Sequence, residues 1–201
     1  TADSLFETYR QESTVFEQLG SWGQIGALAL TGFGEPEQIG GVTVGDGALQ
    51  AFGVQPVLGR WFTAEEYVSG AEGADAVILS YGLWQRRFGG DPSVLGRALS
   101  LDLEPAQVVG VMPAGFRFLT LAPDVIRAER RDPSRPLALG HLNAPGIARL
   151  KPGVTLAEAN ADLARLIPIW LDAWPASPGF REEVIGWRIA PAVRSLQDEA
   201  V

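Results

Sequence analysis

The sequence predicts an α+β fold, and three observations carry that prediction. Short strand-like and short helical segments are interleaved along the chain, but no long alternation of strands with crossover helices develops. In the middle, Ala98–Leu103 and Ala106–Met112 flank the turn chemistry of Asp102–Pro105 and read as a hairpin. Late in the chain the pattern is strand, helix, strand, with Ile147–Leu150 before the helix and Val184–Ile189 after it.

Each element follows from local chemistry. Leu5, Tyr9, Phe16 and Leu19 lie near helical spacing, so Ser4–Leu19 reads as one or two short amphipathic helices. Two strand-like runs follow, Ala27–Thr31 and Gln38–Val44, separated by the turn Gly32-Phe33-Gly34-Glu35-Pro36. A short helix, Ala48–Phe52, ends at Gly53 as a left-handed cap, and Thr63 is placed to cap Ala64–Tyr67. After a Gly/Ala-rich linker, Ser69–Ala74, comes the buried-type strand Ala76–Leu79. Ser80 is a natural N-cap for a helix over Tyr81–Phe88, which Gly89-Gly90 stops. The stretch Arg127–Gly140 holds Arg127, Arg130, Arg131, Arg135, Pro133 and Pro136, and reads as an exposed loop. Thr155 with Glu158 forms a capping box after the turn Lys151-Pro152-Gly153. Behind it Leu156, Ala159, Leu163, Leu166, Ile167, Trp170 and Trp174 share a stripe, which Pro168 should kink or divide. Val57-Leu58-Gly59-Arg60 recurs as Val94-Leu95-Gly96-Arg97, each copy marking a glycine turn before a strand or loop.

Composition bounds the function. A chain of 201 residues fits one large domain or two small ones, with a real core available. Acids outnumber bases 24 to 16, and the net charge of −8 disfavours nucleic acid or an anionic membrane surface as main partner. Cysteine is absent, which excludes disulfides, thiolate catalysis and cysteine-ligated metals. Thr1–Arg10 carries Asp3, Glu7 and Arg10 and no apolar block, so these residues are not expected to act as a signal peptide. The longest charge-free stretch, Gln18–Gly34, has 17 residues and five glycines, too short and too polar for a spanning helix.

The residues for a chemical site do not assemble. Gly45-Asp46-Gly47 has Gln50 where a dinucleotide fingerprint needs glycine, and no phosphate loop exists. The single histidine, His141, lies in a Pro/Gly-flanked segment and has no serine elbow to serve, so it reads as a loop residue. Paired carboxylates are present as Glu65-Glu66, Glu35/Glu37 and Glu182-Glu183. Neighbours on a helix point about 100° apart, so they read as solvated surface rather than an acid–base pair. Trp84, Trp170 and Trp174 read as core, while Trp22, Trp61 and Trp187 carry no pattern that places them.

Four ordered blocks carry a resemblance. SYGLWQRRFGGDPSVLGRALSLDLEPAQVVGVMPAGFRF, from Ser80 to Phe118, resembles the signature of the MacB-like periplasmic core domain, and is especially similar to the duplicated-permease branch common in acidobacteria. Upstream, AFGVQPVLGRWFTAEE (Ala51–Glu66) resembles that family's preceding block. Downstream, ARLKPGVTLAEANADL (Ala148–Leu163) resembles its closing strand–turn–helix. YRQESTVFEQLGSW, Tyr9–Trp22, is similar to the segment that follows the first membrane helix in this family. Three departures stand out. Leu103 sits where the family usually has glycine, and Ala106 where it has an aromatic residue. Asp124-Val125-Ile126 replaces a D-V-W-x-P-L pattern.

The resemblance implies a porter-like α+β subdomain at 1–73 and 137–201, with a smaller Sabre-like α/β subdomain inserted at 74–136. It further implies the extracytoplasmic, periplasmic domain of a MacB/FtsX-type ABC-transporter permease that transmits ATP-driven motion to a partner or cargo. The alternative is a ligand- or lipoprotein-binding periplasmic module. Expected partners are a cytoplasmic ABC ATPase, a second permease copy or pseudo-dimer mate, and a periplasmic adaptor or cargo, with no nucleic acid. No catalytic, cofactor-binding or metal-binding residue is implied, and no cofactor. The isolated chain is expected to be monomeric or weakly dimeric.

Overall fold

The computed structural model describes residues 3–32, 34–70, 75–140 and 145–196. The first helix, α1 (Asp3–Glu12), buries Ser4, Leu5, Thr8 and Tyr9 on one face. The chain then enters β1 (Phe16–Thr31), a strand of 16 residues of which sequence reading finds only Ala27–Thr31 and places Phe16–Leu19 in a helix instead. The reason is patterning. Only the end of β1 alternates cleanly, through buried Leu28 and Leu30, whereas its first half is partly exposed on both faces and shows no period of two.

Strand β2 (Glu37–Val44) returns antiparallel to β1, from Leu30↔Glu37 to Trp22↔Val44, with a bulge between Ile25 and Leu28. Helix α2 (Ala48–Phe52) follows, then the short β3 (Leu58–Gly59) and a 3-10 turn at Ala64–Tyr67 whose capping box is Thr63 with Glu66. Next come β4 (Asp75–Leu79) and α3 (Tyr81–Phe88), with the Ser80 hydroxyl accepting from Leu83 N–H as an N-cap. The hairpin is β5 (Ala98–Leu101) and β6 (Glu104–Val111), and β7 (Val125–Ala128) completes the set.

These strands close on themselves. β2 pairs in parallel with β7, β7 antiparallel with β4, β4 in parallel with β6, and β6 antiparallel with β5. The last ladder returns from β5 to the end of β1 at Leu30↔Leu101 and Thr31↔Ser100. A closed ring leaves few free strand edges to aggregate. One face of the ring, with Leu30, Val77, Leu79, Leu101 and Val108, packs against Leu83 and Phe88 of α3. The other, with Val44, Ile78 and Ile126, packs against Leu49, Met112 and Phe118.

The first half of β1 leaves the ring and pairs antiparallel with β8 (Gly146–Leu150), from Phe16↔Leu150 to Ser21↔Gly146. N-terminal and C-terminal strands thus share a sheet. Over this extension lie α1, α4 (Leu156–Ala173) and α5 (Phe180–Gly186), joined by a third cluster around Leu5, Tyr9, Leu163, Leu166, Trp170 and Val184. The Thr155–Glu158 capping box opens α4 as expected, with Thr155 N–H and hydroxyl both bonded to Glu158. Pro168 does not divide this helix, which runs unbroken to Ala173. The stretch Val184–Ile189, expected as a strand, forms none: Val184–Gly186 end α5 and the chain then turns. Gly179 in the left-handed region opens that helix, and Glu182 and Glu183 in its first turn suit the positive end of the helix dipole. No helix among the described residues is long and apolar enough to cross a membrane.

Candidate functional site: an apolar cleft

The side chains that sequence reading tested for chemistry turn out to hold structure. Glu66 receives a bidentate bond from Arg60 at 2.8 Å and closes the Thr63 capping box. Partial burial opposes its ionisation, but the Arg60 and Thr63 bonds outweigh this and keep its carboxyl below the usual range. Glu65 beside it is fully solvated. Glu37 lies between Arg86 and Arg87, and Arg86 also reaches Asp124 at 2.8 Å, tying α3 to β2 and β7. His141 lies outside the described residues.

The arginine-rich stretch is not simply an exposed loop. Arg127 sits in β7, and Arg127 and Arg130 both pair with Asp75 at the start of β4, while Arg130 also donates to the Val68 carbonyl. Sequence spacing could not reveal this, because Asp75 lies more than 50 residues away from either partner. Among the described residues no group of three or more metal-capable side chains comes together.

The tryptophans mostly pack. Trp170 is fully buried, and Trp84 and Trp174 are partly so. Trp22 sits against Phe118 at a ring separation of 5.2 Å, and Trp61 against the second cluster. Trp187 is 40% exposed and meets Phe180 edge-on.

What the fold does form is an apolar cleft of about 560 Å³. Phe16 and Leu19 of β1, with Ala148 and Leu150 of β8, make its floor. Leu5, Phe6 and Tyr9 of α1 form one wall, and Leu156 and Leu163 of α4 the other. Residues 189–196 run along it as a strap. Asn160 on α4 holds this strap: its side-chain oxygen accepts from Val193 N–H at 2.9 Å, and its amide nitrogen donates to the Val193 and Leu156 carbonyls. Tyr9 lines the wall with its phenol pushed up to about 12 by burial, so it stays neutral at any working pH. Nothing in the sequence marks this cleft, because its walls come from both ends of the chain.

Comparison with known proteins supplies the class. The family model described as MacB-like periplasmic core domain matches residues 4–166. The chain belongs to that family. Among solved structures, the MacB-like domain is similar to the extracellular domain of the noncanonic ABC-type transporter YknZ from Gram-positive bacteria. That likeness has 16% identity and a TM-score of 0.58, covering 84% of this chain and 82% of that one. It is also similar to the periplasmic region of MacB from Actinobacillus actinomycetemcomitans, at 12% identity and a TM-score of 0.63, covering 83% and 72%. These likenesses show a shared fold. No curated protein sequence matches the chain. The MacB-like domain is therefore a periplasmic domain of the MacB/FtsX-like ABC-transporter permeases, a transporter family and not an enzymatic one.

Proposed function

We propose that this domain relays ATP-driven movement of a permease's membrane part to a partner or cargo on the periplasmic side, acting as a stiff body with no catalysis of its own. The observation that carries the reading is β1. Its first half is bonded to β8 under α1 and α4, and its second half is built into the strand ring, so one continuous strand joins both parts. Packed interiors transmit strain because they have few voids to absorb it. The partners on this reading are a cytoplasmic ABC ATPase, a second permease subunit, and a periplasmic adaptor or cargo. The setting is the periplasmic face of the inner membrane.

We retain the division into a porter-like unit at 1–73 and 137–201 and an inserted Sabre-like unit at 74–136. The β1–β8 pairing supports the discontinuous unit. The β2–β7 and β1–β5 ladders cross the boundary and would couple the two units tightly.

The test is distance measurement in the full permease with its ATPase. The chain has no cysteine, so spin labels at Leu103→Cys and Ile185→Cys, both exposed, report this domain cleanly. Nucleotide should move Leu103 relative to the membrane part while the Leu103–Ile185 distance stays fixed. Nucleotide-independent distances throughout would overturn the relay, and a changing internal distance would overturn the stiff body. A second reading, capture of a ligand or lipoprotein, is favoured specifically by the apolar cleft.

A further inference from the structure

We infer that the cleft between α1, β8 and α4 is a binding site for one acyl chain of a single-chain amphiphile, with residues 189–196 as its cover. This deepens the capture reading and rests on it. Size is the first argument: about 560 Å³ falls within the roughly 300–1,000 Å³ of small-molecule sites.

Lining chemistry then selects the occupant. Floor and walls are leucine, isoleucine, phenylalanine and alanine side chains, with the Tyr9 hydroxyl the one polar side-chain group they contribute. A peptide buried there could pair at most one edge with β8, which bonds only β1 among the described strands, and would leave its other N–H and C=O groups, like a sugar's hydroxyls, unpaired at a desolvation cost. A polymethylene chain has no such groups. Among the described residues polarity gathers on the strap, where Arg194 and Ser195 line the cleft. That places the amphiphile's polar head beside the strap and the chain along β8.

The family match ends at residue 166, inside α4, and α5 and the strap lie beyond it. The strap meets α4 through the two Asn160–Val193 bonds, and its Ile189 and Val193 pack against the third cluster, so apolar contacts seat the cover as well.

Titrating the 201-residue chain with the saturated fatty acids C8, C10, C12 and C14, below micelle concentrations and at physiological salt, tests the inference. Calorimetry should show one saturable site whose affinity rises about fourfold per methylene until the cleft is full, as burying a CH₂ implies. Ala148→Phe, which fills the floor, should weaken C12 binding at least tenfold. If that variant fails to fold, Leu156→Glu serves instead. Leu156 is 40% exposed at the rim and opens α4, where an acid suits the helix dipole, so the fold should hold while the carboxylate is repelled. Absence of binding, affinity independent of chain length, or unchanged binding by the folded variants would overturn the inference. Saturable binding of an unacylated apolar peptide without fatty-acid binding would overturn the acyl assignment and leave capture standing. Binding of neither probe would overturn both.

Discussion

Leu103 occupies a backbone position that suits glycine. At the tip of the β5–β6 hairpin, Asp102 and Leu103 have φ of 52° and 71°, the pair of left-handed residues that a tight primed turn requires. Leu103 gains nothing in return, since its side chain is 86% exposed. Leu103→Gly should therefore stabilise the domain by about 1 kcal/mol, read as a rise in Tm. The opposite sign is expected at Ser4. The buried indole N–H of Trp170 donates to Ser4 Oγ at 2.8 Å, and one turn further along both helices Trp174 donates to Thr8 Oγ1. Ser4→Ala strands the Trp170 donor in the core and should cost about 1–3 kcal/mol in urea melts. Asp162 supplies a pH dependence. Burial opposes its ionisation, but bonds from Ser13 at 2.7 Å and Arg165 outweigh that and lower its pKa below the free value. A carboxyl lowered on folding stabilises above its unfolded pKa, about 3.9, and that stability fades as pH falls through the folded value. Asp162→Asn should thus narrow its stability gap to the parent chain as pH drops from 6 to 3. A gap that widened on acidification would contradict this account.

At the scale of elements, the repeated Val-Leu-Gly-Arg motif has one structural role served twice. Leu58–Gly59 pairs with Gly110–Val111 of β6, and Gly96 and Arg97 exchange backbone bonds with Val108 of the same strand. Both glycines have φ of 76°, so alanine would meet similar backbone strain at each. Space separates them: a Cβ on Gly59 would lie 2.2 Å from the Val109 carbonyl oxygen, whereas one on Gly96 meets nothing within 4 Å. Gly96→Ala should cost about 1–2 kcal/mol, and Gly59→Ala clearly more, in parallel denaturant melts. The motif was legible as a glycine turn; its common partner strand was not, because long-range pairing leaves no local mark. The same limit explains the rest. Capping boxes, the Ser80 cap and the hairpin were readable because each involves residues within a few positions. The first half of β1, the Asp75 ion pairs and the cleft were not, since each is defined by distant chain. For α5, β-branched Val184 and Ile185 suggested a strand, and the packing of Val184 into the third cluster decided otherwise.

At the scale of the whole molecule, stability should be uneven. Among the described residues, fourteen and thirteen buried residues form the two clusters on either face of the strand ring, against seven in the cluster joining α1, α4 and α5. That third region also contains the 560 Å³ cleft and a strap whose Val193 is bonded to Asn160. Fewer buried contacts and more solvent-reached backbone lower the free energy of local opening. The helical layer should then open without the ring, and native-state hydrogen exchange should resolve two groups of amides. Those of Val77, Ile78 and Val108, in β4 and β6, should exchange only through global unfolding. Those of Leu163 and Leu166 in α4 should exchange through a smaller opening. Leu166→Ala should deepen the contrast: losing a fully buried leucine costs about 2–5 kcal/mol, and the loss should lower the α4 opening first. A domain whose amides all exchanged at one free energy would be a single cooperative unit, and the helical layer would then have no independent freedom to admit a ligand.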